Sequence, residues 1–327
     1  MTQLYPLKFK PQYMEKLWGG RKIEHILGRD LGVLSNCGES WEISGVQGYV
    51  SEVSNGFLIG NELNELLEVY MGDLVGDRVF DRFGQEFPLL IKLIDADDDL
   101  SVQVHPDDAL AMERHNSSGK TEMWYVLQAD AGARINCGFK RPLNAAQYQE
   151  MLDAGRLPEI LNFESAKSGD VFFMPAGRVH AIGRGILLAE IQQTSDVTYR
   201  IFDYNRTDST GQPRELHTDM ALDAIDFTFH DNYRTDYTLL NNKAANVVSC
   251  DYFRTGILQL DRAVARDIYE ADSFIIYIAV EGSSEISWDG GRDVIRYGET
   301  VLVPAALHNF GLRPLQASAK LLEITAG

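Results

Sequence analysis

Two stretches of this chain, SGDVFFMPAGRVHAI from Ser168 and YGETVLVPAALHNF from Tyr297, share one order: Gly, an acidic residue, apolar positions, Pro-Ala and then His. A unit that recurs within one chain narrows the fold to two copies of one small module. Each copy sits among short apolar runs broken by Gly, Pro and Asp, which is how strands and their turns read. The first set holds FPLLIKLIDA, LSVQVHP, EMWYVLQA, GILLAEIQQ and VTYRIFDYNR, and the second FIIYIAVEGSSEISW, DVIRYGETVLVP and KLLEIT. The expected fold is therefore mainly β, two small barrels. The first module is expected over residues 1–240 and the second over 241–327, after the polar stretch NYRTDYTLLNNKAAN.

Helical spacing is confined to short segments. Ala146, Tyr148, Met151 and Leu152, with Ile160 and Leu161 beyond Gly155, predict a helical insert over Asn144–Phe163. ELHTDMALDAI and ELNELLEVYM read as two further helices, while ESWEIS reads as a strand.

The net charge of −18, with no local Lys/Arg cluster, disfavours nucleic acid and anionic membrane surfaces as partners. No apolar run approaches the roughly 20 residues that span a bilayer, and the opening MTQLYPLKFKPQYMEKLWGG has no signal-peptide pattern, so a cytoplasmic location is expected. Cys37, Cys137 and Cys250 are too few and too far apart for a disulfide framework or a thiolate metal site. An anionic substrate would meet repulsion at long range, so its pocket would need cations gathered inside it.

Alternation along LSVQVHP places Ser101, Gln103 and His105 on one strand face and Val102 and Val104 on the other. By the same rule KTEMWYVL places Lys120, Glu122 and Trp124 together, and Glu122 can face His105 across the barrel. His180 follows the turn MPAGRV, which can carry it inward. Gln103, His105, Glu122 and His180 would form an N/O ligand set suited to zinc or another first-row divalent ion, with room for a substrate oxygen. Each residue alone is weak evidence, since an isolated His is more often structural. Lys92 interrupts PLLIKLI, where a buried ammonium needs a carboxylate or an anionic ligand.

The strings QVHPDD, KTEMWYVL, GDVFFMPAGRVHAIG and SDVTYR, in that order, resemble the type I mannose-6-phosphate isomerases, above all the shorter bacterial forms. The resemblance runs from LWGG to the C-terminal module. It implies two cupin (jelly-roll) modules, the second degenerate, and one Zn2+ per chain held by Gln103, His105, Glu122 and His180. It favours Lys92 and Ser101 as contacts to phosphate or sugar hydroxyls, Lys120 as a proton-transfer candidate and Arg200 as a guanidinium facing the sugar. Glu190 and Asp196 would be proton relays or partners of Arg200. Longer members carry a His just before the lysine matching Lys120; here that position is Gly119. His308 aligns with His180 in the repeat but lacks a Q-x-H pair or facing glutamate, so it is not expected to bind metal. His25, His115 and His217 read as solvent-facing, and His230 has no motif.

The implied activity is interconversion of mannose 6-phosphate and fructose 6-phosphate by 1,2-proton transfer through an enediol. A phosphorylated hexose is the expected partner, and the oligomeric state is left open. The Gly-rich strings GDLVGDRVF and GVLSNCGES form no dinucleotide or phosphate-cradling fingerprint. Competing readings are a cupin isomerase acting on glucose 6-phosphate, an iron-dependent oxygenase, and a non-catalytic sugar-binding cupin.

Overall fold

In a computed structural model that describes residues 4–207 and 211–327, the strand signals resolve into four sheets. The fold is mainly β, and no helix among the described residues is long and apolar enough to cross a membrane. The chain divides into two compact units. One comprises Tyr13–Ser40 and Lys92–Thr235; the other comprises the residues up to Gln12, Trp41–Ile91 and Asp236–Gly327.

The first of these units holds one five-stranded sheet in the order Tyr199–Phe202, Val102–Val104, His180–Ile182, Arg134–Phe139, Leu161–Ser165. Its other layer runs from Lys92–Ala96, the latter part of the Leu89–Ala96 strand, through Ile186–Gln193 and Glu122–Ala129 to Val171–Met174. One apolar cluster draws on both layers: Ile94, Trp124, Val126 and Leu188 from one, Ile135, Cys137 and Ile182 from the other. A second cluster lies on the outer side of the five-stranded sheet, where Val102, Val104, Ala181, Tyr199 and Ile201 meet Tyr148, Ala221 and Ile225. The alternation of Val with polar residues in LSVQVHP is thus used on both faces, apolar side chains outward under helices and polar ones inward.

Those covering helices are Ala145–Asp153 and Thr218–Ala224. The first starts at a capping box in which Asn144 and Gln147 exchange side-chain and backbone bonds. It ends well before the expected Phe163: after Gly155 the chain forms one 3-10 turn at Leu157–Glu159 and then the edge strand Leu161–Ser165. A third helix, Asp108–His115, has no counterpart in the sequence reading. The Asp107 carboxylate accepts from the Leu110 N–H at its start, and Asn116 ends it in the left-handed region.

The other unit repeats the two-layer plan. Ala245–Ser249, Phe253–Leu260, Ala319–Ala326, Ile275–Glu281 and Thr300–Val303 form one sheet, and Val264–Asp267, Asn309–Pro314, Ser284–Trp288 and Gly291–Ile295 the other. Leu258, Tyr277, Val301 and Leu321 pack with Ile286, Ile295, Phe310 and Leu312 between them. Where the repeat suggests consecutive modules of 1–240 and 241–327, residues 41–91 group instead with the C-terminal strands. Backbone bonds explain the grouping: Leu7 and Leu302 exchange both N–H···O bonds, and the end of helix Leu63–Val75 meets Phe274 and Ala305 through the carbonyls of Val75 and Leu74.

Candidate metal centre

Register decides which side chains meet. Gln103 lies opposite His180 on one neighbouring strand and opposite Arg200 on the other. Directly opposed residues of antiparallel strands project to the same side, so Gln103, His180 and Arg200 share the inner face. His105, two residues beyond Gln103, continues it and is buried. From the facing layer come Glu122, opposite Gln192 and Met174, and Glu190, opposite Trp124.

His105, Glu122 and His180 converge, each offering a ligand atom within 4.8 Å of the others. Nε2 of His105 is 3.7 Å from Glu122 Oε2, and Nε2 of His180 is 3.3 Å from Glu122 Oε1. Both imidazoles are oriented from behind. His105 Nδ1 is 2.8 Å from the Val197 carbonyl and His180 Nδ1 is 2.8 Å from the Arg178 carbonyl. A carbonyl only accepts, so each Nδ1 carries the proton and each Nε2 turns its lone pair toward Glu122. Neither His180 Nε2 nor Glu122 Oε1 has a hydrogen-bond partner among the described residues.

The electrostatics agree with a metal site. Burial, helped by Lys120 and His180, holds His105 well below the ordinary imidazole range; burial lowers His180 to about 3. Both are therefore neutral, the form that ligates. Burial and the neighbouring Glu190 raise Glu122 above the usual carboxylate range against the pull of Lys120. A buried carboxylate facing two lone pairs is stabilised by a cation, and two imidazoles with one carboxylate are a donor set for a first-row divalent ion. The half-buried Gln103 stands beside His180 on the same face.

Charged groups gather next to this set. Lys120 Nζ lies 2.7 Å from Glu122 Oε2 and 3.3 Å from His105 Nε2. Burial lowers the Lys120 pKa, but Glu122 and Glu190 outweigh it and leave it at about 12. Lys92, also buried, stands 3.4 Å from Glu190 Oε1 and 4.0 Å from Glu39 Oε2. Trp124 donates its indole N–H to Glu190 Oε2 at 2.9 Å. Burial raises Glu190, yet Lys120 and Lys92 more than offset this, so it stays ionised. Ser101 is buried two residues before Gln103.

Two expectations need correcting. Glu190 is tied to Lys92 and Trp124, and Asp196 is exposed with no hydrogen bond or ion pair from its carboxylate among the described residues; neither is the partner of Arg200. Arg200 instead donates through Nη1 to the Glu215 carbonyl at 2.8 Å, while its buried Nε lacks a partner among the described residues. Lys120 precedes the Glu122–Ala129 strand rather than lying within it, though its ammonium still reaches the same side.

Sequence reasoning missed Glu39, whose only signal was its place at the start of ESWEIS. It also missed the helix after Asp107, which a Pro-Asp-Asp start and a basic last turn could have marked. Gly119 has a steric meaning. A β-carbon there would lie 2.5 Å from both the backbone C of Asp107 and the backbone N of Asp108. The position therefore excludes any side chain, imidazole included, unless the backbone moves.

Comparison with known proteins gives a consistent result. Residues 6–127 match the family model described as phosphomannose isomerase type I, catalytic domain. The chain is 34% identical over 319 residues to mannose-6-phosphate isomerase ManA of Bacillus subtilis (strain 168), covering 94% of this chain and 95% of that protein. It superposes on the crystal structure of the mannose 6-phosphate isomerase from Bacillus subtilis with a TM-score of 0.87 at 31% identity, covering 98% and 99% of the two chains. A structure described as mannose 6-phosphate isomerase bound with zinc and yttrium shares the fold, with a TM-score of 0.80 at 16% identity over 98% of this chain and 99% of the other.

Proposed function

The chain belongs to the type I mannose-6-phosphate isomerases, and we infer that it interconverts mannose 6-phosphate and fructose 6-phosphate. The observation that carries this reading is the buried His105–Glu122–His180 set with both Nε2 lone pairs turned toward one carboxylate. Gln103 would join these three as the fourth ligand of a single zinc ion. When bound, zinc would supply the Lewis acidity that stabilises negative charge on a sugar oxygen.

The protein's own groups then divide the work. Arg200 presents its Nε–Nη2 edge to the oxygen that gains charge as the enediol forms. Glu190, ionised and not needed as a ligand, is the base available to take the proton from one carbon and return it to the other. Lys120 stays protonated and serves as a donor to a sugar oxygen rather than as a base. Lys92 and Ser101 bind the phosphate or hydroxyl groups, with Glu39 and Glu190 fixing the Lys92 ammonium. The layers packed above and below this face exclude bulk water, which strengthens each of these contacts. Asp196, exposed, belongs to the rim.

We place the enzyme in the cytoplasm, where its phosphorylated substrate is held. Of the positions that match the ligand set, the C-terminal unit keeps only His308, with no Q-x-H pair or facing glutamate, so the chemistry is assigned wholly to the other unit. A coupled assay for fructose 6-phosphate, with metal analysis of the same sample, tests the reading. Turnover should vanish with a chelator and return with zinc. Unchanged activity in fully demetallated protein would overturn the zinc assignment, and no turnover of mannose 6-phosphate in zinc-loaded protein would overturn the substrate.

A further inference from the structure

We propose that His217 is a positioning residue that fixes Arg200, through an unprotonated Nδ1, in the orientation its catalytic role requires. The proposal rests on the reading of Arg200 given above. His217 lies outside regular strand structure, immediately before helix Thr218–Ala224, which begins three residues later than the helix expected from ELHTDMALDAI.

The contacts are reciprocal. The Arg200 N–H donates to His217 Nδ1 at 3.1 Å, and the His217 N–H donates to the Arg200 carbonyl at 2.7 Å. Two residues earlier, the Glu215 carbonyl accepts from Arg200 Nη1 at 2.8 Å. One short segment therefore holds the backbone of Arg200 on both its polar groups and one end of its guanidinium. With one Nη1 N–H engaged, the guanidinium is held by that end, and its Nε–Nη2 edge carries the buried donor, Nε, that has no partner among the described residues.

The segment is itself anchored. Arg214 donates from Nε and Nη2 to the Asp203 carboxylate at 2.6 and 2.5 Å, and Arg206 donates to the same carboxylate from Nη2 at 2.6 Å. Asp203 is buried. Arg214 and His217 are thus both tied back to the Arg200 strand and the residue that follows it, one through the Asp203 carboxylate and the other through its imidazole.

The tautomer follows from the donor. A backbone N–H cannot accept, so the ring must carry its proton on Nε2 and leave Nδ1 bare. That requirement chooses the substitutions. Asparagine can place Oδ1 where Nδ1 stood, glutamine places its amide farther out, and alanine offers nothing.

The test measures kcat, KM, zinc content and Tm for His217→Ala, His217→Gln, His217→Asn and Arg200→Ala, with the 15N shifts of the His217 ring in the unsubstituted protein. His217→Ala and His217→Gln should lower kcat roughly tenfold with zinc content intact and KM little changed. His217→Asn should recover most of the loss, and the Nδ1 resonance should be that of an unprotonated nitrogen. Should His217→Ala fail to fold, His217→Gln, which keeps side-chain bulk, still removes the acceptor. Wild-type kcat in His217→Gln while Arg200→Ala is impaired would overturn the positioning role and leave the Arg200 reading standing. Wild-type kcat in Arg200→Ala would overturn the Arg200 reading itself. No recovery in His217→Asn, or a protonated Nδ1, would also sink the proposal.

Discussion

The ammonium of Lys120 lies 2.7 Å from Oε2 of Glu122, with both side chains shielded from solvent. A positive charge held against a metal ligand opposes a dication at the same carboxylate. Lys120→Met should therefore tighten zinc binding by about tenfold, roughly 1.4 kcal/mol, while turnover falls sharply. Competition against a chelator of known affinity measures the first effect. Unchanged or weaker zinc binding would show that Lys120 does not compete with the metal.

Glu122 supplies the only carboxylate of the His105–Glu122–His180 set. Glu122→Gln should leave most of the protein metal-free after dialysis, and His180→Ala should behave likewise. Full occupancy in either variant would remove that residue from the ligand set.

Lys92 and Arg200 should separate kinetically. Lys92 sits between Glu190 and Glu39 and is read as a grip on groups present in both ground and transition states. Lys92→Ala should mainly raise KM, whereas Arg200→Ala should lower kcat by on the order of a hundredfold with KM little changed. Steady-state kinetics at verified zinc content decide. An Arg200→Ala enzyme that only binds substrate more weakly would make the arginine an anchor.

Asp203 predicts a pH-dependent stability. Burial raises its pKa, but hydrogen bonds from Arg214 and Arg206 outweigh burial and hold it below the usual carboxylate range. A carboxyl depressed in the folded state contributes stability that is present above its unfolded pKa of about 3.9 and lost as pH falls through the lower folded value. Asp203→Asn should thus lower Tm by roughly 5 °C at pH 7, with the gap narrowing toward acid. Calorimetry at several pH values reads this; a gap independent of pH would show that the carboxylate's charge is not what holds the loop.

His308 is half-buried, with Tyr269 edge-on to its ring at 4.9 Å between centroids. His308→Ala should leave zinc content and turnover nearly unchanged. A large loss of kcat in folded protein would mean that the C-terminal unit takes part in the chemistry.

What could be read in advance was what strand periodicity encodes. Gln103, His105 and Glu122 declare themselves because alternation puts polar side chains on a face that a barrel must satisfy, and the valines between them mark the other face. What could not be read depends on which distant strands become neighbours. The pairing of Arg200 with Gln103, the Glu39 carboxylate near Lys92 and the His217 ring behind Arg200 are products of register and topology, which local spacing does not contain. Residues 41–91 show the same limit: ELNELLEVYM announces a helix, but nothing in it says that its end meets Phe274 and Ala305.

The bare α-carbon at Gly119 also bears on descent. An enzyme with this backbone cannot acquire a histidine there in a single mutational step, because Asp107 and Asp108 occupy the space its β-carbon needs. The helix start at Asp107 and Asp108 would have to retreat first, and that retreat would disturb the bond between the Gly119 N–H and the Asp108 carboxylate. In this backbone, then, position 119 is path-dependent: the order of changes matters more than the residue finally chosen.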